Sequence, residues 1–221
     1  MTFQMNEVIK YRGRLQFITH QTERHSTLEG AEMALEGGCR WIQLRMKDAD
    51  GEEILKVGRE LRRMCDHCNA TLIVDDHVEL VRELKADGVH LGLTDMPIRE
   101  ARQLLGEEML IGGTANTAEQ ALGHCRQGAD YIGCGPFRFT QTKKNLAPTL
   151  GINGYEIITN RLNEALVRVP IVAIGGITID DISDILAVGV SGIAISGTVL
   201  QASDPVSEMQ KIVRLINKIN N

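Results

Sequence analysis

No stretch of this chain approaches the roughly 18 consecutive apolar residues that a membrane span requires, so a transmembrane reading is excluded. The opening Met1–Glu7 lacks the basic start and apolar core of a signal peptide. There is no basic excess either: the net charge is −5 over 221 residues, which argues against nucleic acid as a partner. An acidic chain that binds phosphates must therefore concentrate its positive charge locally. A second Cys-x-x-Cys pair is missing as well. Cys65-Asp66-His67-Cys68 stands alone, whereas a structural zinc site normally draws on two such pairs. It closes a helical stretch instead of opening one after a strand, which also disfavours a thioredoxin-like motif. We read the pair as structural. Five cysteines, an odd number without an export signal, point to a reducing cytoplasm.

Linkers and low-complexity segments are absent too, and what fills the chain is regular alternation. Short apolar runs read as strands at Leu15–Thr19, Trp41–Arg45, Thr71–Asp75, Gly88–Leu91, Met109–Gly113, Tyr131–Cys134, Ile171–Ile174 and Gly192–Ile195. Helical patterns lie between them at Thr27–Glu36, Gly51–Cys65, Val78–Leu84, Ile98–Leu105, Ala118–Arg126, Tyr155–Ala165 and Asp180–Ala187, with Pro205–Ile216 last. Gly37-Gly38-Cys39, Ala86-Asp87-Gly88, Gly128-Ala129-Asp130 and Gly189-Val190-Ser191 occupy equivalent helix-stop places before strands. Eight βα units with buried parallel strands predict a single-domain (β/α)8 TIM barrel over 1–221, its core about 15–217. A doubly wound open sheet is the alternative, but eight evenly spaced units favour closure.

Chemistry in such a barrel sits at the C-terminal ends of the strands. Gln43, Arg45 and Lys47 alternate with Ile42, Leu44 and Met46 and so share one face. A polar triplet turned into a closed barrel is costly unless something pairs with it. Asp75-Asp76 and Asp95 end neighbouring strands and can converge on one cation; Mg²⁺ takes one or two carboxylates plus phosphate oxygens. Asp95, ahead of Met96-Pro97, also suits a helix cap, as Asp76 does ahead of Val78. Gly133-x-Gly135-Pro136 runs into Thr140, Thr142, Lys143 and Lys144, hydroxyls and ammonium groups suited to a phosphate, although a solvated turn can have the same composition. Gly175-Gly176 and Ile195-Ser196-Gly197 close strands seven and eight, where barrels often hold phosphate on backbone amides. The six histidines form no constellation.

Taken in order, Gln43-Leu44-Arg45-x-Lys47, Asp75-Asp76, Gly88-Val89-His90-Leu91-Gly92-x-x-Asp95, Gly133-x-Gly135-Pro136, Thr140-x-Thr142-Lys143 and Gly175-Gly176-Ile177 resemble the thiamine-phosphate synthase family, from about Leu15 to Leu200. The resemblance implies a transferase that joins 4-amino-2-methyl-5-hydroxymethylpyrimidine diphosphate to a thiazole phosphate, releasing pyrophosphate. It also implies roles. Gln43 would recognise the aminopyrimidine, and Arg45, Lys47 and Lys143 would hold the diphosphate, with Thr114 nearby. Asp76 and Asp95 would carry Mg²⁺. Thr140, Thr142, Gly176, Ile195 and Ser196 would meet the thiazole phosphate, and Asp75 would lie among the substrate-binding residues. Three positions depart from the pattern: Asp75-Asp76-His77 stands for the usual Asn-Asp-Arg, Leu93 for Gln and Thr114 for Ser. Phosphorylated small molecules are the expected partners, without nucleic acid or membrane, and formation of a homo-oligomer stays open. Two rival readings are a thiazole tautomerase-like isomerase and a non-catalytic phosphate-binding barrel.

Overall fold

The structure, a computed structural model, describes residues 14–139 and 148–219. Eight parallel strands pair in chain order and close, the first against the last. They are β1 (Leu15–Ile18), β2 (Trp41–Leu44), β3 (Thr71–Asp75), β4 (Gly88–Leu91), β5 (Leu110–Ala115), β6 (Tyr131–Cys134), β7 (Ile171–Ile174) and β8 (Gly192–Ile195). The closed barrel rules out the open sheet. Among the described residues the helices are α1 (Thr27–Glu36), α2 (Gly51–His67), α3 (Ile98–Leu105), α4 (Ala118–Gln127), α5 (Gly151–Glu164), α6 (Ile182–Ala187), α7 (Gly197–Leu200) and α8 (Pro205–Ile219).

The strands are covered on both faces, so apolar side chains appear on each. Ile42, Leu44, Leu72, Val74, Val89, Leu91, Ile132 and Ile193 point outward into one continuous core with helix residues such as Ile54, Leu61, Ile98, Tyr155 and Met209. Ile18, Trp41, Ile73, Leu110, Tyr131, Val172 and Ala194 fill the barrel itself. Trp41 and Tyr131 meet edge to face there, with ring centroids 5.2 Å apart, a favoured geometry for aromatic pairs. The bulk of Tyr131 explains a gap opposite it. A Cβ on Gly112 would lie 2.2 Å from the Tyr131 ring and 2.5 Å from the imidazole of His90, so only glycine fits.

Helix starts follow the caps. Ser26 and Glu29 form a capping box on α1, and the Asp50 and Thr117 side chains accept from the backbone N–H of Glu53 and Gln120. The predicted helix over Val78–Leu84 is one 3-10 turn, Val78–Leu80, followed by turns. Only residues 76–87 join β3 to β4, too short a connection for a full crossover helix. The stop at Ala86-Asp87-Gly88 also differs from its reading. There Lys85 takes the left-handed conformation, with φ 50, while Gly88 is required for space: its Cβ would lie 2.0 Å from the carbonyl oxygen of Leu110. Strand β5 runs on to Ala115, which brings Thr114 into the sheet. No helix among the described residues is long and apolar enough to cross a membrane.

Candidate active site at the C-terminal mouth of the barrel

Strand register sets the site. Gln43 pairs with Ile73 across β2 and β3, and Asp75 with His90 across β3 and β4. By alternation these polar side chains belong to the face that also carries Trp41 and Ile73, the barrel interior. Gln43 donates through Nε2 to Oδ1 of Asp75 at 2.6 Å, and Nε of Arg45 lies 3.5 Å from Oδ2 of the same carboxylate. One residue on, Asp76 turns left-handed, with φ 64, while its N–H donates to the His90 carbonyl at 2.8 Å. Left-handed backbone is uncommon outside glycine, and strain of this kind clusters at functional positions. The turn hands the Asp76 carboxylate to Lys47, whose Nζ is 2.5 Å from Oδ2. Of the triplet read from the sequence, Gln43 and Arg45 thus meet Asp75 at the end of β3, and Lys47, beyond the end of β2, meets Asp76 just after it.

Asp95 completes the acidic group. Its Oδ2 accepts from the Gly92 N–H at 2.6 Å, and the nearby Asp76 carboxylate helps to raise its pKa. Helix α3 starts at Ile98 with no side-chain cap, and neither does Asp76 cap the 3-10 turn after it. This removes the capping alternative for both carboxylates. A neighbouring carboxylate disfavours ionisation, and two of the acidic groups show it. Burial, then the neighbouring Asp76, raises the pKa of Asp95. Burial, then Asp76, also pushes Asp75 up to about 7 against the pull of Arg45 and Lys47. Burial works against the charged form of Lys47, yet the Asp76 and Asp75 carboxylates outweigh it and its pKa is raised. Among the described residues no cluster of three or more acidic, histidine or cysteine side chains could cage a metal. Two oxygen ligands suit Mg²⁺ completed by substrate phosphate and water, and do not suit zinc.

His90 was scarcely visible in the sequence and is central in the structure. It stands between Tyr131 and Thr114, with Nδ1 3.1 Å from the Tyr131 hydroxyl and Nε2 3.0 Å from Thr114 Oγ1. Its place in Val89-His90-Leu91, where β-branched and leucine side chains turn outward, was the available signal. Thr114, expected near the diphosphate, is thus held by a buried imidazole.

The opposite side of the mouth is built from backbone. Gly175 and Gly176 have φ of 97 and 67, and a Cβ on Gly176 would lie 2.5 Å from Arg138 Cγ. Arg138 ties this turn to the loop after β6. Its guanidinium bonds both Asp181 oxygens at 2.6 and 2.7 Å and the Gly176 carbonyl at 2.9 Å, lying 4.8 Å over the Phe137 ring. Sequence reading missed this strap. Ser196 Oγ is buried and has no partner among the described residues, an acceptor and donor left for a ligand. Ile195, expected beside the phosphate, sends its side chain into the outer core, so only its backbone can face an anion. Thr140, Thr142 and Lys143 lie outside the described residues. The chain leaves and returns at a fixed stem, where the N–H groups of Leu150 and Gly151 donate to the carbonyls of Pro136 and Phe137 at 2.8 and 3.0 Å. The Gly135–Pro136 bond in that stem is cis.

Comparison with known proteins places this arrangement. Residues 15–199 match the family model described as Thiamine monophosphate synthase. A thiamine-phosphate synthase of Bacteroides fragilis is 60% identical over 201 residues, covering 91% of this chain and 98% of that protein. One from Flavobacterium psychrophilum is 43% identical, covering 93% and 98%. The solved thiamine phosphate pyrophosphorylase of Pyrococcus furiosus superimposes with a TM-score of 0.81 at 32% identity, covering 94% of this chain and 97% of that one. A barrel of this shape, matched over nearly its whole length at such identity, belongs to the thiamine-phosphate synthase family.

Proposed function

We propose that this chain is the transferase that condenses 4-amino-2-methyl-5-hydroxymethylpyrimidine diphosphate with 4-methyl-5-(2-phosphooxyethyl)thiazole, forming thiamine phosphate and releasing pyrophosphate. The observation that carries the reading is the meeting of Lys47, Asp76 and Asp95 beside the Gln43 amide at one end of the barrel. The reaction breaks a carbon–oxygen bond to diphosphate and lets the thiazole nitrogen attack as a neutral nucleophile. It needs charge neutralisation on a leaving group and little proton transfer. A site with Arg and Lys beside carboxylates suits that demand through preorganised electrostatics.

Gln43 reads the aminopyrimidine from the barrel interior. Arg45 and Lys47 hold the diphosphate, and the Thr114 hydroxyl, fixed by His90, donates to it. Asp76 and Asp95 would hold Mg²⁺, which would supply positive charge at the departing diphosphate. The thiazole phosphate rests on the amides of Gly175 and Gly176 and on Ser196 Oγ, with the Thr140 and Thr142 hydroxyls as further partners, while Lys143 joins Arg45 and Lys47 on the diphosphate. Five free thiols suit a cytoplasmic setting.

A tautomerase acting on the thiazole phosphate alone would have no use for the carboxylate pair, and a phosphate sensor would not turn over. Incubation with both substrates and Mg²⁺, with thiamine phosphate read after oxidation to its fluorescent thiochrome, separates these. Multiple turnover dependent on both substrates is expected. Tight binding of both without product would overturn the assignment.

A further inference from the structure

Gln43 and Asp75 are both buried, at 2% and 8% exposure, and they touch in only one way. Nε2 of Gln43 donates to Oδ1 of Asp75 at 2.6 Å. The other end of the amide, Oε1, is buried and has no hydrogen-bond partner among the described residues. An amide has two unlike ends, a donor NH₂ and an acceptor oxygen, whereas a carboxylate only accepts. Asp75 can therefore take only the NH₂ end of Gln43. Arg45, 3.5 Å from Oδ2, occupies the far side of the carboxylate and keeps Oδ1 for Gln43. An asparagine at this position, common in the family, carries both ends itself and can pair with Gln43 in either orientation. The acidic residue breaks that symmetry.

We propose that Asp75 is a positioning residue for substrate selection: it fixes the Gln43 amide so that Oε1 is presented to the ligand, and the site therefore takes a ring with an exocyclic amino donor and rejects one with an exocyclic carbonyl there. This rests on the assignment of the pyrimidine diphosphate as substrate. A buried acceptor lacking a donor is costly, and an amino N–H supplies that donor. A carbonyl at the same place sets two acceptors against each other. Sites that hydrogen-bond a substrate group reject analogues lacking it far more strongly than apolar pockets reject a methylene.

The test compares binding of two probes to the full-length protein by calorimetry without thiazole phosphate: the 4-amino pyrimidine diphosphate and its 4-oxo counterpart. Wild type should prefer the amino compound. In Asp75→Asn the preference should shrink by about tenfold to a hundredfold, the worth of one hydrogen bond to a charged group, chiefly because the 4-oxo compound gains affinity. A purely structural role would weaken both probes alike and leave their ratio unchanged, which would overturn the proposal. Asp75→Ser serves equally if the asparagine variant does not fold. In a Gln43→Ala background the Asp75 substitution should no longer alter the ratio; a persisting effect would also overturn it. Turnover is scored separately. Selective binding without product would sink the functional reading alone, whereas turnover with a ratio insensitive to Asp75 would sink this inference alone.

Discussion

Nζ of Lys47 lies 2.5 Å from Oδ2 of Asp76, so an ammonium group sits on the carboxylate we assign to the cation. With no diphosphate bound, Lys47 and Mg²⁺ compete for the same charge. Lys47→Met should therefore tighten binding of the metal alone, by up to about fivefold, the worth of a partly exposed ion pair. The same change should lower turnover by about a hundredfold, because a donor to the departing diphosphate is lost. Mn²⁺ titration by electron paramagnetic resonance, set beside the thiochrome assay, checks both directions. Metal affinity that falls with turnover would show Lys47 to be supporting the cation site instead.

Asp76 and Asp95 interact closely enough for Asp76 to raise the Asp95 pKa, and they lie on loops after β3 and β4, outside the packed core. Asp95→Ala and Asp76→Ala should each raise the Mg²⁺ needed for half-maximal rate at least about tenfold, since even partners behind metal ligands cost that much. Circular dichroism should show the barrel intact. Unchanged metal titrations in both variants would remove the metal assignment.

Asp75 gives a pH signature to stability. Its folded-state pKa, pushed up to about 7 by burial and then by Asp76, exceeds the ordinary value near 3.9. The folded protein thus binds the proton more tightly than the unfolded chain, and stability falls as pH rises between those two values. Measured against Asp75→Asn, which cannot titrate, wild type should lose ground from about pH 4 to about pH 7 and run parallel above. Urea unfolding across that range reads the difference. Parallel curves throughout would place Asp75 as a permanently ionised partner of Arg45.

Gly112 and Tyr131 test the barrel filling. A Cβ at 112 would lie 2.2 Å from the Tyr131 ring and 2.5 Å from His90. Gly112→Ala should cost about 1–3 kcal/mol, as overpacking does, and should impair turnover through His90 and Thr114. Combining it with Tyr131→Phe should relieve little, because the clash involves the ring and not only the hydroxyl. Full rescue by that pair would place the strain at the hydroxyl alone.

The fold was legible because it rests on alternation along short strands. Gln43 lies on the inner face of β2, Arg45 and Lys47 follow its end, and Asp76 and Asp95 follow β3 and β4. Elements whose ends depend on tertiary space were less legible. Nothing local in Val78–Leu84 says that residues 76–87 must close a short gap, so a helical pattern collapses to one 3-10 turn. His90 stood in the sequence only within the Gly88-Val89-His90-Leu91-Gly92 motif, with no role, because a lone histidine in an apolar strand carries no charge pattern. Only the register that sets it between Tyr131 and Thr114 gives it a role. The Arg138–Asp181 strap joins residues that no motif links.

Lys143 offers the sharpest contrast. It lies outside the described residues, but the stem that carries its segment is anchored to the mouth on both sides: Leu150 and Gly151 donate back to Pro136 and Phe137, and Phe137 and Arg138 donate to Ile174 and Gly175. We expect its ammonium group to contact the departing diphosphate. Negative charge grows there as the carbon–oxygen bond breaks, so the contact strengthens in the transition state. Losing one such preorganised donor costs about 2.7–4 kcal/mol, on the order of a hundred- to a thousandfold in turnover. Lys143→Ala should therefore depress kcat by that factor with a smaller change in thiazole-phosphate affinity. Lys144→Ala, one residue on, should be nearly silent. Single-turnover kinetics with thiochrome readout distinguishes the two variants. Equal losses at both lysines, or a loss confined to thiazole-phosphate binding, would return Lys143 to the role of a general phosphate anchor.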